Sequence, residues 1–226
     1  MISVRGLRWA PAATAVFDGL DLDVELGRTT AVVGRSGCGK SSLLRFLAGV
    51  RQPDAGVVSG VPTTRGFVFQ DPALLPWRTV RDNVRLAADL GAAGADPRRV
   101  TEVLERVGLG AQMEQLPASL SGGQRMRASL ARACVSRPDV LFLDEAFSAL
   151  DGATRREVMA VIADLGPTLT VLLVTHDLTH AARLADRVLV VDGPPFRVLA
   201  DVRVAAPRPR TADDIAALVR EIEASS

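Results

Sequence analysis

Hydrophobic and polar positions divide the chain into short apolar runs and longer stretches with helical spacing. Three runs rich in aliphatic and β-branched residues are predicted as buried strands, because parallel strands covered on both faces are apolar without alternation. These runs are residues 29–34, 140–145 and 170–175. Nearer the N-terminus, apolar and polar residues alternate from Leu20 to Leu26, which is typical of a strand with one solvated face. The pattern predicts an α/β fold.

Helical spacing marks two other stretches. Residues 72–136 are predicted to be mostly helical, and a terminal helix is expected to begin at Thr211. One face of that helix is apolar, with Ile215, Leu218, Val219 and Ile222. A further β segment is predicted over residues 196–204. The predicted organisation is a core of about 1–71 and 137–205, a helical subdomain of about 72–136 and a tail of about 206–226.

The first predicted strand runs into a glycine-rich loop and then into a segment of helical composition. Residues Gly34–Ser41 fit the pattern G-x-x-x-x-G-K-[ST] in its strand–loop–helix setting. Glycines let backbone N–H groups close around phosphate oxygens, Lys40 would reach the β- and γ-phosphates, and the Ser41 hydroxyl would ligate Mg²⁺. The loop alone does not separate kinases, GTPases and ATPases. The predicted nucleotide contacts are Gly34, Arg35, Ser36, Gly37, Cys38, Gly39, Lys40, Ser41 and Ser42.

The other two predicted buried strands end in side chains suited to phosphate chemistry. Asp144 and Glu145 close the second strand, and paired carboxylates there are costly unless a metal or water occupies the site. Asp144 matches the carboxylate that lies beside Mg²⁺ in P-loop proteins. Glu145 matches a general base that activates the attacking water. His176 follows the third strand, at the edge where α/β folds bind ligands. His180 is interpreted as a polar helix residue, since no third ligand at a fitting spacing supports zinc.

Composition narrows the class of partner. The chain has 226 residues, with 27 basic and 26 acidic side chains, so its net charge of +1 gives no broad basic face for nucleic acid. Only one of the basic residues is a lysine, and it is Lys40 inside the glycine-rich loop. Two cysteines are too few for a disulfide framework. No apolar run is long enough to cross a bilayer, and we expect no export signal.

A second glycine motif, Leu-Ser-Gly-Gly-Gln-Arg at residues 120–125, lies between the phosphate loop and the Asp-Glu strand. Followed by a helix predicted over 125–134, it forms a second anion-binding helix N-terminus. Motifs of this kind in this order resemble those of the ATP-binding cassette (ABC) ATPases. The resemblance implies a P-loop NTPase fold: a RecA-like core with an N-terminal antiparallel β region and an inserted α-helical signature subdomain. It adds Ser121, Gly122, Gly123 and Gln124 to the predicted contacts of ATP.

The resemblance covers nearly the whole chain and implies roles for further residues. Phe69-Gln70-Asp71 resembles the Q-loop, which makes Gln70 a contact of Mg²⁺ or of the lytic water. Residues 148–151 resemble the D-loop, and His176 the switch histidine. The resemblance also implies a head-to-tail homodimer that encloses two ATP molecules, each between one subunit's phosphate loop and its partner's signature. The implied catalytic residues are Lys40, Gln70, Glu145 and His176.

Two segments resemble one subgroup, the importer ATPases for nitrate, sulfonate and taurine. They are Leu-Leu-Pro-Trp at residues 74–77 and Pro-Arg-Pro-Arg at residues 207–210. The resemblance implies a subunit at the cytoplasmic face of the membrane, working with a separate integral-membrane permease and a separate solute-binding protein. We expect the apolar segment 74–77 to form the docking surface for the permease. Packing of Trp77 inside the helical subdomain is the alternative, and a thiamine-precursor importer would share these motifs.

The sequence also departs from the family. It has no tyrosine, so stacking on adenine is assigned to Trp9, with a core or edge role as the alternative. Arg28 stands where the family usually has glutamate, a change expected to be harmless. Ala146 and Ser148 replace the commoner proline and glycine after Glu145. A non-transport cassette ATPase and a catalytically silent nucleotide-binding module are the other hypotheses considered. The intact set of Lys40, Asp144, Glu145 and His176 disfavours the silent module.

Overall fold

A computed structural model describes residues 1–90, 96–148, 150–163, 165–166 and 168–224. The strands in these ranges are β1 (Ile2–Trp9), β2 (Phe17–Val24), β3 (Thr29–Gly34), β4 (Ala55–Ser59), β5 (Arg65–Val68), β6 (Val140–Asp144), β7 (Thr170–Thr175), β8 (Arg187–Asp192) and β9 (Arg197–Arg203). The helices are α1 (Lys40–Leu47), α2 (Val80–Leu90), α3 (Pro97–Arg106), α4 (Gly122–Cys134), α5 (Gly152–Ala163), α6 (Leu178–Leu184) and α7 (Ala212–Ala224). No helix within the described ranges is both long and apolar enough to span a membrane.

Contacts divide the chain into two compact units. The phosphate-loop unit comprises Met1–Pro62 and Thr170–Ser226, and the signature unit comprises Thr63–Leu169. This division groups β5 and β6 with the helical segment, whereas the sequence pattern assigned them to the core. The predicted subdomain boundaries at about 72 and 136 therefore stay a prediction.

In the phosphate-loop unit, β3 lies between β7 and β8 and runs parallel to both. Thr29–Val33 are all buried, as expected for a parallel strand flanked on both sides. Strand β9 pairs antiparallel with β8, and it begins one residue later and ends one residue earlier than the sequence predicted. Strands β2, β1 and β4 form a separate antiparallel sheet in that order, the region where Leu20–Leu26 predicted alternation.

The C-terminal tail is attached to α6 by apolar packing and by two arginines. Ile215 and Leu218 of α7 form a buried cluster with Ala182 of α6. Arg210 is 7% exposed and donates a 2.6 Å hydrogen bond to the Ala182 carbonyl, and Arg208 donates one of 3.0 Å to the Leu184 carbonyl. Cations at the C-terminal carbonyls of a helix are stabilising. The Pro-Arg-Pro-Arg segment therefore fastens α7 to the end of α6.

In the signature unit, β5 and β6 pair in parallel, and α4 packs against α2 and β5. Helix α4 begins at Gly122, three residues before the predicted start at Arg125. The earlier start is a correction: glycines are poor helix formers, but a well-formed cap at Ser121 outweighs their low propensity. The two glycines of the motif are thus the first turn of the helix.

Candidate active site

The loop between β3 and α1 has a backbone that requires glycine at three positions. A Cβ on Gly34 would overlap the carbonyl oxygen of Val191 on the neighbouring strand. Gly37 and Gly39 have φ angles of 84° and 109°, in the left-handed region that other residues rarely adopt. A side chain at any of these positions would displace the loop. The glycines of the motif are therefore explained by geometry within the phosphate-loop unit.

Helix α1 begins without a side-chain cap. Gly39 occupies the N-cap position, makes no side-chain hydrogen bond, and no acidic residue lies in the first turn. The first N–H groups of a helix have no partner inside the helix, and the helix dipole adds positive potential at that end. The start of α1 is therefore suited to bind an anion such as phosphate.

Lys40 is only 5% exposed, and backbone carbonyls of the loop hold its side chain in place. Its Nζ donates hydrogen bonds to the carbonyl oxygens of Gly34, at 2.7 Å, and Arg35, at 2.8 Å. The Sγ of Cys38, a fully buried side chain, lies 3.9 Å from the same nitrogen. These contacts fix the ammonium beside the uncapped helix start, so two sources of positive potential converge there. Arg35 and Ser36 are exposed, and Ser41 and Ser42 are half-buried.

His176 lies next to this loop. Val33 of β3 is paired with Thr175 of β7, so the residues that follow, Gly34 and His176, are level on adjacent parallel strands. Adjacent strands are about 4.8 Å apart. His176 is exposed at the carboxyl end of β7. The phosphate-loop unit thus brings the loop and the predicted switch histidine to one edge of the sheet.

The second histidine is a structural residue. His180 is 4% exposed, with Nδ1 3.2 Å from the Thr175 hydroxyl and Nε2 3.2 Å from the Asp177 carboxylate. Asp177 caps α6 by accepting a 2.7 Å hydrogen bond from the Thr179 N–H. Burial alone would raise the pKa of Asp177, but His180 and Thr179 favour the carboxylate more strongly, so the pKa is lowered. His180 therefore lies in α6, and its side chain is buried.

The two predicted carboxylates lie at the end of β6, in the signature unit. Asp144 is the last residue of the strand and is 4% exposed. Glu145 follows with φ at 48°, a left-handed conformation that costs about 1–3 kcal/mol for a non-glycine residue. The Ser148 hydroxyl supports this turn by donating a 2.9 Å hydrogen bond to the Glu145 carbonyl. Strained backbone at a predicted general base marks a position whose geometry matters.

Gln70 lies at the same edge of the signature unit. Val68 of β5 is paired with Leu143 of β6, so Gln70 and Glu145 each lie two residues beyond this pair. Gln70 is exposed, and the preceding Phe69 stacks on Phe67 with ring centroids 4.2 Å apart. Gln70, Asp144 and Glu145 therefore lie at or just beyond the carboxyl ends of the two parallel strands.

The predicted D-loop leads into α5. Ala149 lies outside the described residues, but Asp151 caps the helix by accepting hydrogen bonds from the Ala153 and Thr154 N–H groups, each 3.0 Å long. The hydrogen bonds from Thr154 lower the pKa of Asp151. Asp151 is thus fixed as a carboxylate at the start of the helix.

The signature residues form a closed cap on α4. The Ser121 Oγ accepts a 3.2 Å hydrogen bond from the Gln124 N–H, and the Gln124 side chain accepts one of 2.9 Å from the Ser121 N–H. Gly123 is buried where a Cβ would overlap the Thr154 side chain, whereas Gly122 is exposed with open space around it. Packing therefore requires glycine at position 123 but not at position 122.

The apolar segment after the Q-loop is fastened to two helices. Asn83 of α2 is 1% exposed and makes hydrogen bonds to the Leu75 N–H and carbonyl, at 2.7 and 3.1 Å. Arg132 of α4 donates to the carbonyls of Pro72 and Ala73, at 2.7 and 2.8 Å. Sequence reasoning missed Asn83 and Arg132, because their partners are set by tertiary contacts and no local motif marks them.

Trp77 projects from this fixed segment. Its side chain is 73% exposed, whereas Leu74 and Leu75 are half-buried. The alternative that Trp77 packs inside the helical subdomain is therefore wrong for this chain. An exposed tryptophan on an anchored loop is a feature of interaction surfaces.

Trp9 has neighbours of its own. Its ring lies 5.5 Å from that of Phe46, and the Arg51 guanidinium stands 4.7 Å above the ring centroid. Trp9 is half-buried. One face of the indole thus already has a cation–π partner, and stacking on adenine stays a prediction.

Comparison with known proteins gives concordant results. Residues 17–148 match the family model described as ABC transporter. The chain is 48% identical over 222 residues to the aliphatic sulfonates import ATP-binding protein SsuB of Mycobacterium sp. (strain MCS), covering 95% of this chain and 88% of that protein. A protein of the same description, SsuB 1 from Mesorhizobium japonicum, is 44% identical over 212 residues, covering 90% and 80%.

Among solved structures, a dimeric ATP-binding cassette in a post-hydrolysis state bound to ADP and Pi is similar in fold. Its TM-score is 0.82 at 25% sequence identity, and the match covers 92% of this chain and 100% of that one. A second dimeric cassette structure, from a bacterial ABC transporter, matches with the same TM-score at 26% identity.

Proposed function

The chain belongs to the family of ABC transporter ATPases, and from this premise we propose that it is the ATP-hydrolysing subunit of an importer for aliphatic sulfonates. The observation that carries the ATPase assignment is the uncapped start of α1 beside the buried ammonium of Lys40. The sulfonate assignment is supported by relatives that are 40–48% identical and share one description. This favours sulfonates over nitrate within the predicted group, and over the thiamine precursors of the alternative importer.

ATP binds first through groups of the phosphate-loop unit. The N–H groups at the start of α1 donate hydrogen bonds to phosphate oxygens, and Lys40 exchanges its two carbonyl acceptors for the β- and γ-phosphates. The Ser41 hydroxyl offers an oxygen ligand for Mg²⁺ in this unit, and Gln70 and Asp144 offer oxygens in the signature unit. Mg²⁺, when bound, neutralises charge on the phosphates and assists departure of the leaving group. Carboxylate, amide and hydroxyl oxygens are the ligands that Mg²⁺ prefers.

Hydrolysis depends on Glu145 and His176. The Glu145 carboxylate orients the attacking water and accepts its proton, and the strained backbone beneath it fixes its direction. His176 contacts the γ-phosphate, and its position level with Gly34 on the neighbouring strand supports this role. General-base catalysis of this kind contributes about 10²–10⁴-fold to the rate.

The chain functions as a head-to-tail homodimer at the cytoplasmic face of the membrane. Solved cassettes of the same fold are dimeric, which supports the pairing. Each subunit's signature, Ser121–Gln124, then closes the nucleotide site of its partner. The exposed Trp77 is the contact for an integral-membrane permease, and a separate solute-binding protein delivers the sulfonate.

Replacing Glu145 by Gln tests the catalytic assignment. Steady-state ATPase activity of the Glu145→Gln protein should fall at least about 10²-fold while ATP binding is retained, because only the general base is lost. Glu105→Gln, an exposed substitution in the same unit, is the matched control and should leave turnover unchanged. Unchanged turnover in Glu145→Gln would exclude Glu145 as the base.

Growth on a sulfonate tests the transport assignment. A strain lacking this gene should fail to grow with ethanesulfonate as its sole sulfur source, and the wild-type gene should restore growth. The Glu145→Gln gene should not restore it. Normal growth of the deletion strain on ethanesulfonate, with loss of growth on nitrate instead, would overturn the sulfonate assignment and leave the ATPase assignment intact.

Docking is tested at Trp77. Trp77→Asp should abolish co-purification with the permease while intrinsic ATPase activity is kept, because the exposed indole contributes to contact and not to chemistry. Val57→Asp, at a side chain that is 63% exposed in the phosphate-loop unit, is the control. Equal recovery of permease with Trp77→Asp and Val57→Asp would show that the docking surface lies elsewhere.

A further inference from the structure

His176 lies between two residues that are both in contact with the buried side chain of His180. Thr175, the last residue of β7, is 1% exposed, and Asp177 caps α6. His180 is 4% exposed, and its Nδ1 lies 3.2 Å from the Thr175 hydroxyl. Its Nε2 lies 3.2 Å from a carboxylate oxygen of Asp177. His180 therefore holds the residues on both sides of His176, whose own side chain is exposed.

These contacts form a closed cycle. The Asp177 N–H donates a 3.1 Å hydrogen bond to the Thr175 hydroxyl oxygen, so the two neighbours of His176 also contact each other. The Nε2 contact is poorly aligned for a hydrogen bond but is short enough for electrostatic attraction. A carboxylate can only accept, so it favours the neutral tautomer of His180 with the proton on Nε2. Nδ1 is then the acceptor, and the Thr175 hydroxyl donates to it.

The helix that carries His180 is fixed at both ends within the phosphate-loop unit. Its start is capped by the Asp177 carboxylate. Near its end, Arg210 donates a 2.6 Å hydrogen bond to the Ala182 carbonyl. Because α6 is anchored in this way, the contacts of His180 restrain the backbone at His176.

We propose that His180 is a positioning residue for ATP hydrolysis, which holds the backbone of His176 so that its imidazole meets the γ-phosphate. This proposal rests on the proposed function, because it requires His176 to act at the nucleotide. His180 itself takes no part in the chemistry, since its imidazole is buried against Thr175 and Asp177. Misplacing an active-site group by about 1 Å can lower a rate about 100-fold. Turnover should therefore depend on His180, whereas the affinity for ATP should not.

Steady-state ATPase kinetics of the full chain test the proposal. His180→Leu removes both polar contacts, so kcat should fall at least about tenfold while KM for ATP stays within about twofold. His180→Asn should recover part of the turnover, because its amide oxygen can accept the Thr175 hydrogen bond in place of Nδ1. His176→Ala is measured beside these variants and sets the largest loss expected.

Two threonines at opposite ends of β7 provide a matched pair. Thr175→Val removes the hydroxyl that contacts His180. Thr170→Val removes a hydroxyl that accepts a 2.9 Å hydrogen bond from the Gly27 N–H. Both side chains are 1% exposed, so both variants should melt below the wild type by similar amounts, but only Thr175→Val should lower kcat. Equal losses of kcat in the two would show that stability alone is responsible and would overturn the proposal.

NMR spectroscopy of the untagged chain reports on His176 directly. The chain has two histidines, so a His180 variant leaves one imidazole signal, which belongs to His176. A non-hydrolysable ATP analogue with Mg²⁺ should shift this signal in the wild type. In His180→Leu the analogue should bind with unchanged affinity and shift the signal much less. Equal shifts in the two proteins would overturn the proposal.

The outcomes separate this proposal from the function on which it rests. If His176→Ala leaves turnover unchanged, the proposed role of His176 is wrong, and the positioning role is overturned with it. If His176→Ala lowers turnover but His180→Leu and Thr175→Val keep the kcat of the wild type, only the positioning role is overturned. A fall in kcat at all three positions, with unchanged KM, supports it.

Discussion

Two helices of this protein begin with glycine-rich motifs, and they differ in whether a side chain caps the first turn. Helix α1 starts after Gly39 with no side-chain cap, and a buried lysine stands beside the open end. Helix α4 starts after Ser121 with a complete capping box. Both turns are suited to phosphate by composition, but of these two helices α1 alone begins without a side-chain cap. The contrast supports the proposal that the phosphates of ATP bind at the start of α1.

The cap on α4 does not remove its capacity to meet an anion. Ser121 accepts the hydrogen bond from Gln124, so the hydrogen of its own hydroxyl remains available for donation. The N–H groups of Gly122 and Gly123 are not used by the cap. The capping box thus orients a donor set at the end of a stable helix. This arrangement suits a surface that meets the phosphate of a partner subunit.

The largest effect is expected on ATP affinity, at the uncapped start of α1. Lys40→Met keeps the volume of the buried side chain but removes the ammonium, so affinity for ATP should fall at least about 100-fold, as for the loss of charge-assisted hydrogen bonds. Titration with a fluorescent ATP analogue measures it, with Arg197→Gln as the control. Affinity within threefold of the wild type would show that Lys40 does not contact the phosphates.

A smaller effect is expected from the two glycines of the capped helix. Gly123→Ala should lower the free energy of unfolding by about 1–3 kcal/mol, because the added methyl group overlaps Thr154. Gly122→Ala is the matched control and should cause no loss, since nothing surrounds that position and alanine favours the helix. Denaturation of both variants in urea decides the point. Equal loss in the two would contradict the packing argument.

The smallest effect on stability, with the most specific effect on turnover, is expected at the cap. Ser121→Ala should cost about 1 kcal/mol through the lost cap and lower ATPase activity, while a single chain binds ATP as before. Ser121→Asp keeps a capping oxygen, so stability should return, but its charge repels phosphate and turnover should stay low. Full activity of Ser121→Asp would argue against contact between the signature and a partner's nucleotide.

Much of the fold followed from local patterns. The strands at 29–34 and 170–175 were predicted with the bounds observed, because buried parallel strands are continuous apolar runs. The strand predicted over 140–145 ends one residue earlier, at Asp144, because Glu145 has a left-handed backbone. The tail helix was predicted by its apolar face, and Ile215, Leu218 and Ile222 are buried as expected. Local signals of this kind need no knowledge of the tertiary structure.

Other features depend on partners far away in the chain. The start of α4 was placed late because the low helix propensity of glycine conceals a cap that only the formed hydrogen bonds reveal. Arg132 contacts the carbonyl of Ala73 across 59 residues, and Thr29 meets Asp186 across 157. Nothing in the spacing of these residues predicts such pairs. The catalytic assignments of Gln70, Asp144, Glu145 and His176 stay predictions that the edge positions of these residues support.

Helix α4 connects the signature with the loop that carries Trp77. Its last turn holds Arg132, clamped to the backbone that carries Trp77, and its first turn holds the signature. Eleven residues separate Arg132 from Ser121, a span of about 16 Å along a helix. A displacement of Trp77 should therefore be transmitted to the signature by movement of the whole helix. We expect the loop and the signature to move together, because the helix between them is continuous.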